Sequence, residues 1–307
     1  MQEKKRKLCY YGDYLHLDKM LSAQQPESRH YGPEAHDETL FIITHQTYEL
    51  WFKQILHEVK SIIDIFSGET VKDQYLTTVE HRLSRVTVIQ NLLNQQIEVI
   101  ETMTPQDFME FRDFLVPASG FQSIQFKMME ISLGLKSEYR IDFDKESFYV
   151  RLNKPDQDFL RGFEERSSLF ELVDEWLGRM PFLEFGDFKF WALYKEATDK
   201  MLKKDIAIVK SIENITEHDK EVQLKDIEAT RQKYAALIDA DKYEKLREEG
   251  SFRMSRNGML GALFINLYQH EPVFSLPFQI LRRLMDIDEL LTIWRYKHAV
   301  MVQRMLG

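Results

Sequence analysis

The chain has 307 residues, 44% of them hydrophobic and 30% charged, with a formal net charge of −9 and a pI near 5.6. That acidic balance speaks against nucleic acid as a partner, because neutralising phosphates needs a basic footprint. A single cysteine, Cys9, excludes an internal disulfide, and no apolar run approaches the roughly 18 residues of a membrane span, so a reducing, cytoplasmic setting without a membrane is expected.

Residues 1–9 read as a charged tail, its Lys4–Lys7 cluster a solvated one. From Tyr10 to Pro26 the sequence is too apolar for a free tail. Tyr11, Tyr14, Leu15, Leu17, Met20 and Leu21 should pack on their own subunit or on a neighbour. A loop from Pro26 to Pro33 leads to a long helix over about 37–66, with Asp37 as a plausible N-cap. Its apolar residues Leu40, Ile43, Tyr48, Trp51, Ile55, Val59, Ile62 and Phe66 keep a helical period. A second long helix fits 71–103, antiparallel to the first across the short turn at Ser67-Gly68.

Thr104-Pro105 restarts a short helix, a threonine cap followed by proline at the first helical position. Phe108 and Arg112 lie four apart on one face of it. Val116-Pro-Ala-Ser-Gly120 interrupts, either as a plain interhelix turn or as backbone approaching a ligand closely. Helix resumes over 121–133 and stops at Gly134. Residues 135–155 are irregular. Helices then fit 156–178, 188–212, 217–249, 252–268 and 277–307, the one over 217–249 highly charged with a thin apolar stripe. With no strand-period segment of useful length, the chain reads as all-α.

Several chemistries lack their residues. There is no Walker-type or GxGxxG loop, no HExxH, and no paired ExxH for a di-iron bundle. His30 and His36 flank a flexible stretch, and His57 and His81 have no ligand cluster around them. What remains is a lone histidine on a half-apolar helix, His298 within Asp286–Gly307, and another, His45, beside Phe41 and one turn before Glu49. One imidazole is too few for bare zinc but enough for a haem, whose porphyrin supplies four nitrogens. By residues alone a core histidine is the commoner reading of each, and an ion pair with Asp113 or Glu110 the commoner reading of Arg112.

Four segments carry a resemblance: YGDYLHLDKMLSAQQP (11–26), HDETLFIITHQTYELWFKQILHE (36–58), FMEFRDFLVPASGFQSIQF (108–126) and MDIDELLTIWRYKHAVMVQRMLG (285–307). In this order, spread along nearly the whole chain, they resemble the tryptophan 2,3-dioxygenase family of haem enzymes. The resemblance implies one long-helix bundle of the haem dioxygenase type over 1–307. Within it, 1–35 would be an amino-terminal arm and roughly 190–250 a charged helical accessory region. It implies haem b with His298 as the axial iron ligand and Ser119 on the haem-side loop. His45 would be the distal catalytic histidine facing the indole N–H. Phe41, Ile42, Ile43, Thr44 and Phe108 would line the substrate site, and Arg112 would pair with the substrate carboxylate.

Tyr11, Tyr14 and Leu15 match the family's segment that covers a neighbouring subunit's site, which implies a homotetramer, a dimer of dimers with exchanged arms. The implied reaction is the opening of the L-tryptophan indole ring by O₂ to N-formylkynurenine. The family's pattern continues with a Gly-Thr-rich loop whose threonine helps hold the substrate ammonium; the present sequence stops at Gly307. A relative oxidising another indole or aromatic amino acid, and a helical haem-binding protein without turnover, are the alternatives.

Overall fold

A computed structural model of the chain describes residues 8–68, 70–137, 140, 148–179 and 190–306. The charged tail before residue 8, the middle of the irregular stretch and the expected helix start at 188 lie outside these residues. Among the described residues every regular element is helical, as expected of an all-α chain. The helices are α1 (Tyr11–Leu15), α2 (Leu17–Leu21), α3 (Glu38–Phe66), α4 (Asp73–Ile100), α5 (Pro105–Met109), α6 (Ile124–Leu133), α7 (Lys154–Glu164), α8 (Leu169–Gly178), α9 (Phe190–Ser211), α10 (Glu217–Ile238), α11 (Ala240–Glu248), α12 (Arg256–Leu267) and α13 (Pro272–Leu306). The chain divides into two compact units, one of residues 1–61, 81–166 and 283–307, the other of 62–80 and 167–282.

Several elements differ from the sequence expectation. The helix that Thr104 starts ends at Met109, so Phe108 and Arg112 do not share one helical face, and the helix expected from 121 starts at Ile124 after a Ser123 cap. The helix expected over 156–178 is two, α7 and α8, because Ser168 caps α8. Its side chain accepts from the Glu171 N–H, and the Glu171 carboxylate accepts from the Ser168 N–H. The long charged helix breaks at Asp239, whose carboxylate accepts from the Lys242 N–H and starts α11. The last helix begins at Pro272 rather than Pro277, and Pro277 sits inside it. As the sixth residue of the helix Pro277 lies past the first turn, so its missing N–H removes the bond that the Val273 carbonyl would otherwise accept.

In the first unit α3 and α4 run antiparallel. Gln96 Nε2 donates to the Thr44 carbonyl at 3.2 Å, the Tyr48 hydroxyl to the Leu93 carbonyl at 3.0 Å, and Arg85 to the buried Glu58 at 2.7 Å. One partner number rises as the other falls, which fixes the direction. α13 runs parallel to α4. Gln90 Nε2 donates to the Ile287 carbonyl at 3.2 Å, and Asn94 Nδ2 to the Leu290 carbonyl at 3.1 Å. The start of α3 is tied down by Glu38, almost fully buried, whose carboxylate accepts the Glu27 N–H at 2.7 Å and the Ser28 N–H at 3.0 Å. α1 and α2 leave Tyr11 71% and Tyr14 72% exposed, with Leu15 and Leu21 also exposed, so the arm does not bury its apolar side chains within its own chain.

The second unit is built on close packing of α8 and α12. A Cβ on Gly261 would lie 2.4 Å from the Leu177 carbonyl oxygen, and one on Gly258 would lie 1.7 Å from an Asp174 carboxylate oxygen. Only glycine admits that approach. Asp174 in turn accepts from the Ser255 N–H at 2.8 Å and hydroxyl at 2.9 Å, anchoring the cap of α12. Tyr243, Ala236 and Leu260 form a core with Trp191 and Tyr194 against it.

Candidate functional site

The site grows from two turns of helix. On α3, Phe41 and His45 are four apart and therefore neighbours. Their rings sit 4.1 Å apart, and His45 Nδ1 lies 2.7 Å from the Phe41 carbonyl oxygen. That oxygen can only accept, so Nδ1 carries the proton and Nε2 keeps its lone pair. Burial pushes the His45 imidazole below its ordinary value of 6.5, while the Phe41 hydrogen bond and the Glu49 carboxylate partly offset this. His45 is therefore neutral at physiological pH.

Phe41 is the hub of an aromatic wall. Phe108 lies 5.7 Å and Phe111 5.5 Å from it, and these two meet edge to face at 5.4 Å. The capping box of Thr104 and Asp107 starts α5 and so places Phe108. The same core takes in Ala35, Met103, Met301 and Met305, which brings the end of α13 against the wall. Arg112 follows the fully buried Phe111 and opens a short 3₁₀ turn, Arg112–Leu115. Its guanidinium contacts the Met109 sulfur at 3.7 Å. Neither Asp113 nor Glu110 pairs with it, and no described carboxylate does. It is a cation held at the edge of an apolar wall.

His298 is on α13, one turn after Trp294, and the two rings stack at 5.0 Å with planes 13° apart. Trp294 is boxed by Tyr48, Phe52 and Phe126 at 5.9, 6.3 and 5.1 Å. Burial raises the Tyr48 phenol to about 12, with the Trp294 side chain partly opposing. An ion pair from Arg295 to Glu130 and a hydrogen bond from Lys297 to the Asn94 carbonyl at 3.3 Å fix the helix on either side. Burial lowers the His298 pKa, and the nearness of His45 lowers it further. Met301, one turn after His298, packs in the core that takes in Phe41, which brings this end of α13 to the turn of α3 that carries His45.

The segment carrying Ser119 is tied to α3 one turn past His45. Ser123 Oγ donates to Glu49 Oε1 at 2.6 Å, and Gln125 Nε2 to Glu49 Oε2 at 2.7 Å. Ser119 itself caps the Gly120–Gln122 turn and receives Arg151 Nη1 on its hydroxyl at 3.3 Å. The other expected wall residues divide. Ile42 is half-buried, Thr44 is buried with its carbonyl turned to α4, and Ile43 is 47% exposed. Tyr11, Tyr14 and Leu15 stand exposed and are not gathered with His45 by the contacts of this chain.

The family model for tryptophan 2,3-dioxygenase matches residues 2–307. The chain belongs to this family. A tryptophan 2,3-dioxygenase of Alteromonas mediterranea is 59% identical, covering 97% of this chain and 83% of that protein. One of Bdellovibrio bacteriovorus is 45% identical over the same shares, and one of Dictyostelium discoideum is 42% identical over 98% of this chain and 76% of its own length.

The donor set fits a haem. His298 is neutral and partly buried, and neither ring nitrogen makes a hydrogen bond among the described residues, so a lone pair is free for a metal. No group of three His, Cys, Asp or Glu side chains able to hold a metal occurs among the described residues, and a single imidazole is the protein ligand that a haem iron needs. Residue-by-residue reading missed Trp294 and Phe111 as site residues. The spacing of four between Trp294 and His298 was the available signal for the first; nothing local marks the second.

Proposed function

We propose that the chain catalyses haem-dependent opening of the L-tryptophan indole ring by O₂, yielding N-formylkynurenine. What supports this is that His45 stacks on Phe41 within the Phe41–Phe108–Phe111 wall, that Met301, one turn past His298, packs in the same core, and that no described carboxylate pairs with Arg112. Membership of the tryptophan 2,3-dioxygenase family supports the substrate and the reaction.

His298 would hold haem b through its free nitrogen, with Ser119 on the loop beside it. The haem, when bound, supplies the activation of O₂ that indole oxidation requires. The chain supplies orientation and dryness. Arg112 takes the substrate carboxylate in its planar fork. Phe41, Phe108 and the adjoining Ile42, Ile43 and Thr44 turn form the wall for the indole. His45 Nε2 accepts the indole N–H, because its other nitrogen is already spent on the Phe41 carbonyl. In this role His45 positions the ring.

Residues 1–307 work as a single dioxygenase domain. The exposed apolar residues of α1 and α2 support a homotetramer in which Tyr11, Tyr14 and Leu15 close a neighbour's site. The protein acts in the cytoplasm, consistent with its lone cysteine and with no described helix being long and apolar enough to cross a membrane.

The test is His298→Ala. The haem absorbance band and formation of N-formylkynurenine, read together under air with reductant and tryptophan, should both be lost. Retention of both removes the axial assignment.

A further inference from the structure

Metal-binding histidines are ordinarily aimed by a hydrogen bond from their second ring nitrogen to a carboxylate, carbonyl or water. His298 has no such bond to any described residue. Its neighbour is instead the face of Trp294, parallel to within 13° at 5.0 Å. We infer that Trp294 is the positioning residue for the iron-binding histidine, fixing the rotation of the His298 ring by stacking rather than by hydrogen bonding. This rests on the haem reading above.

Two further observations support it. The first is that the indole is itself immobilised. Tyr48 and Phe52 meet it at interplanar angles of 70° and 86°, and Phe126 lies against it at 38°. A plate held on several sides can hold what stacks on it. The second is the indole N–H. It is buried, and although the Tyr48 hydroxyl is its neighbour, it finds no acceptor of adequate geometry; that hydroxyl donates to the Leu93 carbonyl. Buried donors are seldom left unpaired. With its polar atom unpaired, what Trp294 contributes here is its ring.

A merely structural Trp294 would influence stability and leave the iron–histidine bond alone. The test compares Trp294→Leu, which removes the face, with Trp294→Phe, which keeps a smaller one. In the ferrous haem protein, resonance Raman spectroscopy reads the iron–histidine stretching band. Trp294→Leu should broaden, split or shift that band, and Trp294→Phe should leave a single band near the wild-type position. An unchanged band in Trp294→Leu overturns the inference.

A second measurement needs no haem. With histidines labelled at Cε1, the His298 resonance, assigned by its loss in His298→Gln, should lie upfield through the indole ring current. It should return to the ordinary range in Trp294→Leu and move partway in Trp294→Phe. If it stays in place in both, the stack does not exist in solution and the inference falls. Absence of any iron–histidine band in the wild type would instead remove the haem assignment, while the haem-free measurement still decides the stack.

Discussion

His45 donates its Nδ1–H to the carbonyl of Phe41, one turn earlier on the same helix, at 2.7 Å. The backbone of α3 thereby sets the tautomer of the side chain it carries. The rotation of the imidazole is also tied to the backbone, and the Phe41 ring lies against it at 4.1 Å.

The first prediction concerns pH. Burial holds the His45 pKa below 6.5, so the neutral form that accepts the indole N–H persists to lower pH than in a free imidazole. The acid limb of kcat/KM should lie below pH 6.5 and should disappear in His45→Gln. The stability sign follows. Between the folded and unfolded pKa the unfolded chain binds more protons, so stability rises with pH through that window and is lost as pH falls from 6.5. A limb above pH 6.5 would count against a neutral His45.

Glu49 should tune that limb. Its carboxylate is the charge that raises His45, and it also holds Ser123 and Gln125. Glu49→Gln removes the charge and should move the acid limb further down. Glu49→Ala also removes two charge-assisted hydrogen bonds and should cost about 1.5–3 kcal/mol per bond at most. Faster amide exchange over 116–125 should accompany it, measured by hydrogen–deuterium exchange.

Arg112→Ala should raise KM for tryptophan roughly 10- to 100-fold, the worth of about 1.5–3 kcal/mol for hydrogen bonds to a charged group. Arg112→Lys should fall between, because a point charge lacks the fork. Tryptamine, which has no carboxylate, should be affected much less by either change. Equal losses for both compounds would show that the guanidinium serves something else.

Gly261→Ala tests the second unit. Its methyl group would meet the Leu177 carbonyl at 2.4 Å, and backbone cannot swing aside as a side chain can. A destabilisation of about 1–3 kcal/mol, the usual range for an overpacked core, should appear in chemical denaturation. No change would mean that α8 and α12 separate more easily than their packing indicates.

Much of this was legible from the chain. The periods of α3 and α4 and the Thr104-Pro105 restart gave their helices directly. The break at Ser168 was written too, as Ser-x-x-Glu, but it lies inside a continuing amphipathic pattern that conceals it. Pro277 misled for the opposite reason: proline usually marks a beginning, and here the helix already had its first turn. Phe41, His45, Phe108 and Arg112 were singled out by their flanking motifs, and the fold brings Phe41 against His45 and Phe108. The nearness of His45 to His298 was not legible from local pattern, since it depends on how α13 lies along α4.

That alignment has an evolutionary side. Gln90 and Asn94 hold α13 through the carbonyl oxygens of Ile287 and Leu290, atoms that every residue type possesses. Mutations at 287 and 290 can change bulk without erasing these acceptors. Sliding the helix by one turn, about 5.4 Å, would break both at once. The register that sets where the His298 imidazole stands therefore depends on two side-chain amides of another helix, together with the ties made by Arg295 and Lys297.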